Sequence, residues 1–334
     1  MPRTASAGLT EIPDWLDLNP EWIAVLPVNP IPTLLRKAHA ALALRALALL
    51  CDDLKSRDYS LLKDLKQAAY YSPAVTQIIK HQREDGAWPV KAAGPQEEIT
   101  KSLVLVGLLE NLRALATLGG SKQWPSIQKG LTALLGFQHE DGRFPLLYHH
   151  HAAIGSLLIE LGMGRNPAVH KAAHWILERQ REDGGWLHPQ MASKAKHPTS
   201  CIWTTAEVLS FLTRYQTLRI KERLEQAGEF MLAHALQPNT TTLLPEAGTW
   251  NVLSTSAQGV RMFQGGTLKV LDGLTLAGFN PSNSGFKKLY EWLIGQQLDN
   301  GYFPRVAGMD NEGDAWVTVR ALTVIQRIES TRPE

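Results

Sequence analysis

The stretch HQREDGAWP, residues 81–89, decides the fold of this chain because its pattern returns. A glutamine, an Asp or Asn, a glycine and an aromatic residue stand at the same offsets in FQHEDGRFP (137–145), RQREDGGWLHP (179–189) and QLDNGYFP (297–304). A degenerate fifth copy retains Gln237 and Trp250. The five glutamines are 42 to 60 residues apart. That period predicts a repeated helical hairpin with a loop of variable length.

Each copy of this turn motif is preceded by an amphipathic segment. In residues 168–180, Val169, Ala172 and Ile176 share one helical face. Asn166 and Pro167 stand where an N-cap and a first helical residue are favoured, and Ser72-Pro73 and Asn280-Pro281 give the same start signal. These patterns predict outer helices with one buried face.

Each copy is followed by a segment that is apolar on most sides, which is typical of a fully buried helix. These segments are residues 99–118, 149–162, 201–215, 265–279 and 315–328. Residues 33–51 and about 59–68 supply a sixth pair. Alternating outer and inner helices predict an all-α fold, an (α/α)6 toroid over residues 33–330, with residues 1–32 as a proline-rich arm packed on the ring.

The repeated motif has a mechanical interpretation. Its glycine ends the outer helix at a positive φ, and its Asp accepts hydrogen bonds from nearby backbone N–H groups. Its glutamine is expected to bridge to the neighbouring repeat. Repetition itself favours this structural role over a catalytic one.

Composition narrows the function classes. The chain has 334 residues, 44% of them hydrophobic and 20% charged, and a formal net charge of +2. This balance does not favour a dedicated nucleic-acid binder. The most apolar run, residues 40–50, is too short to span a membrane and contains Arg45. Two cysteines give no disulfide framework, and a cytoplasmic protein is expected.

The motif Q-x-x-D-G-x-W/F, as in Gln82–Trp88, resembles the repeat of the prenyltransferase/squalene-cyclase superfamily. The resemblance covers nearly the whole chain and implies a toroid whose central cavity takes an isoprenoid. Two catalytic signatures of that superfamily are missing. The cyclase D-x-D-D motif is absent, and its nearest counterpart is MDNEGDAW, residues 309–316. The protein-prenyltransferase zinc ligands are also absent, since residues 254–266 lack Asp and Cys and Trp316 stands where the histidine would be.

The toroid expectation places the site at the N-termini of the inner helices, which run parallel and meet at one mouth of the cavity. Helix N-termini favour an anion there. Arg261 and Lys101 are the candidate partners of a diphosphate, and an aromatic wall would stabilise a carbocation. That wall consists of Trp203, Phe263 and Trp316. A cavity filled by its own aromatic side chains is the competing interpretation.

Candidate acid/base and metal residues lie at the same mouth. Asp314, His150 and Glu98 are the candidate acids and bases, although Asp314 also fits a helix N-cap. His150, His188 and Cys201 would hold zinc with an open fourth position. The competing interpretation is that these are solvated histidines and a buried cysteine.

The leading hypothesis is therefore a toroid that binds or transforms an isoprenoid or a similar apolar ligand. A non-catalytic scaffold is the first alternative. A carbohydrate-active toroid that uses paired carboxylates, with Glu97 or Glu98 opposite Asp314, is the second. The sequence leaves peripheral membrane contact and oligomeric state open.

Overall fold

The computed structural model describes residues 9, 11–51, 53–90, 97–188, 199–215, 220–237, 250–254, 266–309 and 312–330. Within these ranges the chain forms fourteen α-helices, one 3-10 turn (Glu21–Val25) and an isolated β-bridge between Val252 and Val306. The helices are α1 Ile31–Lys37, α2 Ala40–Leu50, α3 Leu54–Arg57, α4 Tyr59–Tyr70, α5 Pro73–Lys80, α6 Glu97–Thr117, α7 Pro125–Leu135, α8 Tyr148–Glu160, α9 Pro167–Leu177, α10 Ile202–Leu212, α11 Lys221–Ala233, α12 Thr267–Leu276, α13 Ser284–Ile294 and α14 Ala315–Ser330.

The helices form two concentric layers. The inner layer consists of six helices, each of which packs against the next in the order α6, α8, α10, α12, α14 and α2. Arg45 Nη2 of α2 donates to the Ala116 carbonyl of α6 at 3.2 Å and links the remaining pair. Outer helices α4, α7, α9, α11 and α13 each pack on an inner helix. The predicted (α/α)6 toroid is confirmed.

Burial separates the two layers as their sequences predict. Every residue of α10, from Ile202 to Leu212, is buried, and its polar side chains Thr205 and Glu207 are buried with the rest. Outer helix α9 instead buries one face, which includes Val169, Ala172 and Ile176. Apolar burial on both layers is the main source of stability in such a fold.

Helix starts follow the predicted signals with two corrections. Asn166 Oδ1 accepts the Ala168 N–H at 2.9 Å, and Ser72 Oγ accepts the Val75 N–H. Helix α13 begins after Asn283, whose side chain caps it, and not after Asn280. The segment predicted as one helix over 33–51 is divided into α1 and α2, because Ala38 and His39 are extended, with ψ of 140° and 161°.

The glutamine of each intact motif ties one repeat to the next. Gln82 Nε2 donates to the Gly86 carbonyl within its own turn and to the Ser126 carbonyl at the start of α7, at 2.8 and 2.9 Å. Gln138 reaches Ala168 and Gln180 reaches Arg223 in the same way. One amide therefore closes its own turn and fixes the neighbouring outer helix.

The motif glycines sit where a side chain has no room. Gly86, Gly142, Gly184 and Gly301 all have a positive φ, between 84° and 93°. A Cβ on Gly142 would lie 2.4 Å from the Lys171 carbonyl oxygen of the next outer helix. The preceding carboxylate completes the turn, since Asp141 Oδ1 accepts the Arg143 N–H at 3.0 Å. The glycine thus allows close approach of two repeats as well as the turn itself.

The last motif closes the ring onto the N-terminal arm. Gln297 Nε2 donates to the Val28 carbonyl at 2.7 Å, and a Cβ on Gly301 would contact Val28 and Pro30. The degenerate copy behaves differently, since Gln237 donates to the Ala233 carbonyl of its own helix. The arm also buries Ile23 and Leu26 against the ring, whereas Trp15 is exposed.

Candidate functional site

A cavity of about 380 Å³ lies on the axis of the ring, because all six inner helices contribute to its wall. Its lining side chains belong to Arg45 of α2; Arg113 and Thr117 of α6; Ser156, Ile159 and Glu160 of α8; Ser210 of α10 and the adjacent Arg214; Leu268, Lys269 and Asp272 of α12; Trp316, Val319, Arg320, Thr323, Val324 and Arg327 of α14; and Leu253 and Ser254 before α12. A cavity of this size is typical of small-molecule sites.

The wall of this cavity is unusually rich in positive charge. Six of its side chains are cationic and two, Glu160 and Asp272, are carboxylates. A third carboxylate, Glu207, is paired with two of the cations from behind the wall. Buried cations are costly unless opposite charge is near. The described wall therefore carries more positive charge than its own acids neutralise.

Some of these ion pairs remain accessible to water. Arg45 Nη2 lies 3.0 Å from Glu160 Oε1, and both side chains are substantially exposed. Asp272 bridges Arg214 and Arg327, with one carboxylate oxygen on each guanidinium. These pairs lie toward the C-terminal ends of α8, α10 and α14, where the helix dipole also stabilises cations.

A second charged group is buried. Glu207 has no exposed side-chain area; it accepts from Arg113 Nη2 at 3.2 Å and is paired with Lys269. Burial alone would raise the pKa of Glu207, but Lys269 and Arg113 outweigh it, and the carboxyl stays ionised well below neutral pH. Burial lowers the pKa of the Lys269 ammonium. Arg113 and Lys269 line the cavity, and Glu207 holds them from behind its wall.

Arg320 projects from the second turn of α14 into the same space. Its Nη1 donates to Ser254 Oγ at 3.0 Å. Burial, and then the neighbouring charges of Arg113 and Arg45, lower the pKa of its guanidinium to about 10. Arg45, Arg113 and Arg320, which we call the arginine trio, thus repel one another across the cavity.

The first turns of α12 and α14 and the segment before α12 contribute apolar side chains to the wall, beside the charged Lys269. These side chains are Leu253, Leu268 and Trp316. The Trp316 ring also packs on His39, with ring centroids 5.3 Å apart. Trp316 is the one aromatic side chain among the described residues that line the cavity, so the described wall is more polar than the predicted aromatic one.

Asp314 occupies the N-cap position of α14. Its Oδ1 accepts the N–H groups of Trp316 at 2.8 Å and Val317 at 3.0 Å. Burial raises the pKa of Asp314, while these two hydrogen bonds and nearby arginines act in the opposite direction. The capping interpretation of this residue therefore has direct structural support.

The other predicted binding residues are not brought together in the described structure. Lys101 is exposed on α6 and does not line the cavity. Trp203 is buried, with its ring centroid 5.9 Å from that of Trp250. Arg261, Phe263 and the Glu98 side chain lie outside the described residues.

The three consecutive histidines divide into two groups. His151 is buried and structural: its Nδ1 accepts the Phe144 N–H at 3.2 Å, and its Nε2 faces the Ala172 carbonyl at 2.9 Å. Thr205 and Thr318 accept the equivalent N–H groups of the third and fourth motifs, those of Trp186 and Phe303. His151 thus serves the motif rather than the cavity.

His149 and His150 turn toward the neighbouring repeat. The His149 ring stacks on His188 at 5.5 Å between centroids and lies 4.1 Å from His150. Burial, followed by the charge of His150, lowers the pKa of His149 to about 3, and burial lowers that of His150 to about 4. Neutral imidazoles therefore lie near the buried Glu207, whose charge acts on both of them.

The predicted zinc ligands do not form a metal centre by themselves. Among the described residues, no group of three or more His, Cys, Asp or Glu side chains is arranged to hold a metal ion. Cys201 is buried at the start of α10, where its N–H donates to the Trp186 carbonyl at 2.9 Å. Zinc binding by His150, His188 and Cys201 therefore stays a prediction.

Sequence reasoning missed the charged residues that dominate the cavity. Arg113, Lys269 and Arg320 each stand next to apolar residues within an inner helix, as Arg45 does in AALALRALALL. A cation in a helix that is apolar on nearly all sides must face a polar interior space or a partner. That signal was present in the sequence and points to the axis of the ring.

Comparison with known proteins gives the fold. No protein-family model and no curated protein matches the chain. A solved polysaccharide lyase is 13% identical, covers 88% of this chain and 90% of its own, and has a TM-score of 0.51. The apo type II terpene cyclase MstE from Scytonema is 16% identical over 87% of this chain and 86% of its own, with a TM-score of 0.45. At 13% identity the likeness to the lyase shows a shared fold and does not bear on activity.

Membrane insertion is a separate question. No helix in the described part of the chain combines the length and the apolar composition that crossing a membrane requires.

Proposed function

We propose that this toroid binds an amphiphilic anion in its central cavity, with an isoprenoid diphosphate as the first ligand class. The observation that carries the proposal is the charge of the wall: five arginines and one lysine around about 380 Å³, against Glu160, Asp272 and the Glu207 carboxylate behind the wall. Cations held away from bulk water favour a site where opposite charge can enter. A ligand with several negative charges would supply what the wall leaves uncompensated.

The charged head of the ligand would lie among the arginine trio. Each guanidinium offers N–H donors in a planar fork that matches phosphate or carboxylate oxygens. Burial and the charges of Arg113 and Arg45 lower the pKa of Arg320, and an anion between the three groups would raise it again. Binding would therefore relieve the repulsion within the trio.

The apolar part of the ligand would extend toward Trp316, Leu253 and Leu268. These residues belong to the first turns of α14 and α12 and to the segment before α12, whereas Glu160 and Arg214 lie at the C-terminal ends of their helices. The wall thus offers apolar side chains beside charged ones, with Lys269 adjoining Leu268 in the first turn of α12. Such a mixed wall suits a molecule with an apolar tail and a charged head.

Asp314 is the proposed acid if the ligand is transformed. Burial raises its pKa, and it lies two residues before Trp316 of the cavity wall. An Asp314→Asn variant would then keep ligand affinity and lose turnover, although its capping role predicts a loss of stability as well. His150 and Glu98 remain the other proposed acid/base residues.

An acidic carbohydrate is the second candidate ligand because hydroxyl groups also line the cavity. Thr117, Ser156, Ser210, Ser254 and Thr323 could hydrogen-bond to sugar hydroxyls while the arginines hold carboxylates. The wall carboxylates Glu160 and Asp272 are both ion-paired with arginines, and Arg45 lowers the pKa of Glu160, which makes it unsuited to donate a proton. This favours binding of an acidic sugar over hydrolysis by a carboxylate pair.

The test compares four probes by isothermal titration calorimetry: farnesyl diphosphate, farnesol, pyrophosphate and a galacturonate oligosaccharide. We expect farnesyl diphosphate to bind tightest, and Arg320→Gln to weaken it at least about tenfold. Equal binding of farnesol would overturn the role of the charged wall. Binding of the oligosaccharide alone would replace the isoprenoid with an acidic sugar, and binding of none would leave a scaffold and refute the proposal.

A further inference from the structure

Asp272 holds two arginines that belong to different inner helices. Its Oδ2 is paired with Arg214 Nη2, just past the end of α10, and its Oδ1 with Arg327 Nη1 in the last turns of α14. All three side chains line the central cavity. The three helix segments therefore meet around one carboxylate.

This carboxylate stands where a ligand's anionic group would stand. Two guanidinium groups that each donate to one oxygen of an anion form the arrangement by which proteins hold carboxylates and phosphates. Here the anion is supplied by the chain itself. Arg214 is fixed in place from the other side as well, since its Nη1 donates to the Ser210 carbonyl and hydroxyl oxygens, both at 2.6 Å.

Solvent access distinguishes the Asp272 group from the more deeply buried group of Arg113, Glu207 and Lys269. The side chains of Arg214, Asp272 and Arg327 are 31%, 17% and 33% exposed. Those of Arg113, Glu207 and Lys269 are 8%, 0% and 11% exposed. Water can hydrate a carboxylate that leaves the first group, but the second would strand an uncompensated buried charge. Exchange of the counter-ion is therefore feasible at Asp272 and not at Glu207, and of these two carboxylates only Asp272 holds two guanidinium groups.

We propose that Arg214 and Arg327 form an anion subsite in which Asp272 is a resident counter-ion that a phosphate or carboxylate group of the ligand replaces. The inference rests on the proposed function and makes it more specific. The arginine trio would receive one anionic group and this subsite another. The substrate class narrows to molecules with two anionic groups, or with one extended group such as a diphosphate.

Asp272 then acts as a selectivity filter. A ligand must compete with a carboxylate already in place, which lowers the apparent affinity of every anion. Groups with two charges, such as phosphate esters, replace it more readily than a single carboxylate does. Removing the carboxylate should thus raise anion affinity while the cations remain.

The test measures pyrophosphate binding to the full chain by isothermal titration calorimetry at constant ionic strength. We expect Asp272→Asn to lower the Kd at least about tenfold, since the competing charge is gone. We expect Arg327→Gln to raise the Kd by a similar factor. Glu291→Gln is the matched control: it also removes one negative charge, but from an exposed helix α13 pair with Lys287, and it should leave the Kd unchanged.

The outcomes separate this inference from the function on which it rests. If pyrophosphate binds and Arg320→Gln weakens it, while Asp272→Asn and Arg327→Gln have no effect, the subsite is wrong and the proposed function stands. If neither the natural chain nor Asp272→Asn binds pyrophosphate, the subsite is wrong, and binding of farnesyl diphosphate to the natural chain then decides the proposed function. Should Asp272→Asn fail to fold, Arg327→Gln decides alone, because an unchanged Kd in that variant overturns the subsite.

Discussion

The side-chain amide of Gln297 and the backbone of Val28 exchange two hydrogen bonds, although 269 positions separate them in the chain. Gln297 Nε2 donates to the Val28 carbonyl, and the Val28 N–H donates to Gln297 Oε1 at 3.1 Å. The first three motifs use the same amide to hold the start of the next outer helix. At the point where the ring closes, the N-terminal arm takes the place of that helix.

Replacement of Gln297 by Ala should therefore weaken ring closure. The variant loses both bonds to Val28 and the bond to the Gly301 carbonyl. We expect the free energy of unfolding to fall by about 1–3 kcal/mol, as for partly buried hydrogen bonds left unsatisfied. Urea denaturation provides the measurement. Gln237→Ala is the control, since that amide bonds only to its own helix in the described structure, and a loss as large as that of Gln297→Ala would contradict this account.

Two glycines with similar φ separate backbone strain from contact between repeats. Gly142 has a φ of 93° and would place a Cβ 2.4 Å from the Lys171 carbonyl oxygen; Gly278 has a φ of 98° and has nothing within 4 Å of that position. Gly278→Ala should cost about 1 kcal/mol through φ alone. Gly142→Ala should cost at least about 2 kcal/mol more, because α9 must move. Thermal or urea unfolding of the two variants makes the comparison, and equal losses would show that the turn alone requires glycine.

Removing Glu207 from its buried group with Arg113 and Lys269 should destabilise the protein more than removing Lys269. Glu207→Gln leaves Arg113 and Lys269 buried without their shared carboxylate, which should cost about 3–5 kcal/mol of unfolding free energy. Lys269→Met keeps the Arg113–Glu207 pair at 3.2 Å and should cost less. Guanidinium denaturation of both variants tests the order. The reverse order would mean that Glu207 depends mainly on Lys269.

The buried histidines predict that stability falls in mild acid. Burial lowers the pKa of His149 to about 3 and those of His150 and His151 to about 4, from an ordinary value of 6.5. The unfolded chain therefore takes up protons first as the pH falls below about 6.5. Each histidine should contribute at most about 1.4 kcal/mol of lost stability per pH unit in the window down to about pH 4.

Urea unfolding at a series of pH values tests this dependence. His151→Thr should flatten the curve, because threonine supplies the same hydrogen-bond acceptor at Thr205 and Thr318 without titrating. His174→Gln, at an exposed position of α9, should leave the slope unchanged. A stability that stays constant from about pH 7 to about pH 5 would refute the buried state of these histidines.

The fold could be predicted from sequence because its determinants are local and repeated. Gln82, Asp85 and Gly86 make hydrogen bonds within one turn and to the start of the adjacent helix. Each copy of the motif therefore determines its own turn and the contact with the next repeat. The end of the helix before α2 was not predicted, since nothing in the apolar pattern of residues 33–51 marks Ala38 and His39 as extended.

The cavity could not be predicted in the same way because its residues act at a distance. Arg45 meets Glu160 across 115 positions, and Arg113 meets Glu207 across 94. Each looks like an ordinary charged residue of a helix until the ring brings its helices together. The histidine-rich and acidic stretches at helix starts are more conspicuous in the sequence, but Asp314 serves as a helix cap and His151 as a partner of the second motif.

Closure through Val28 also means that the last motif is joined to the N-terminal arm, so that every intact motif has a following partner in the ring. Val28 serves the last motif as Ser126 serves the first, and the turn Glu21–Val25 packs on α14, so the two ends of the ring lie side by side. A circularly permuted chain, joined there by a short linker and opened in the turn between α6 and α7, would keep every one of these motif bonds. The motif contacts thus depend on which repeats are neighbours in the ring and not on which repeat comes first in the polypeptide.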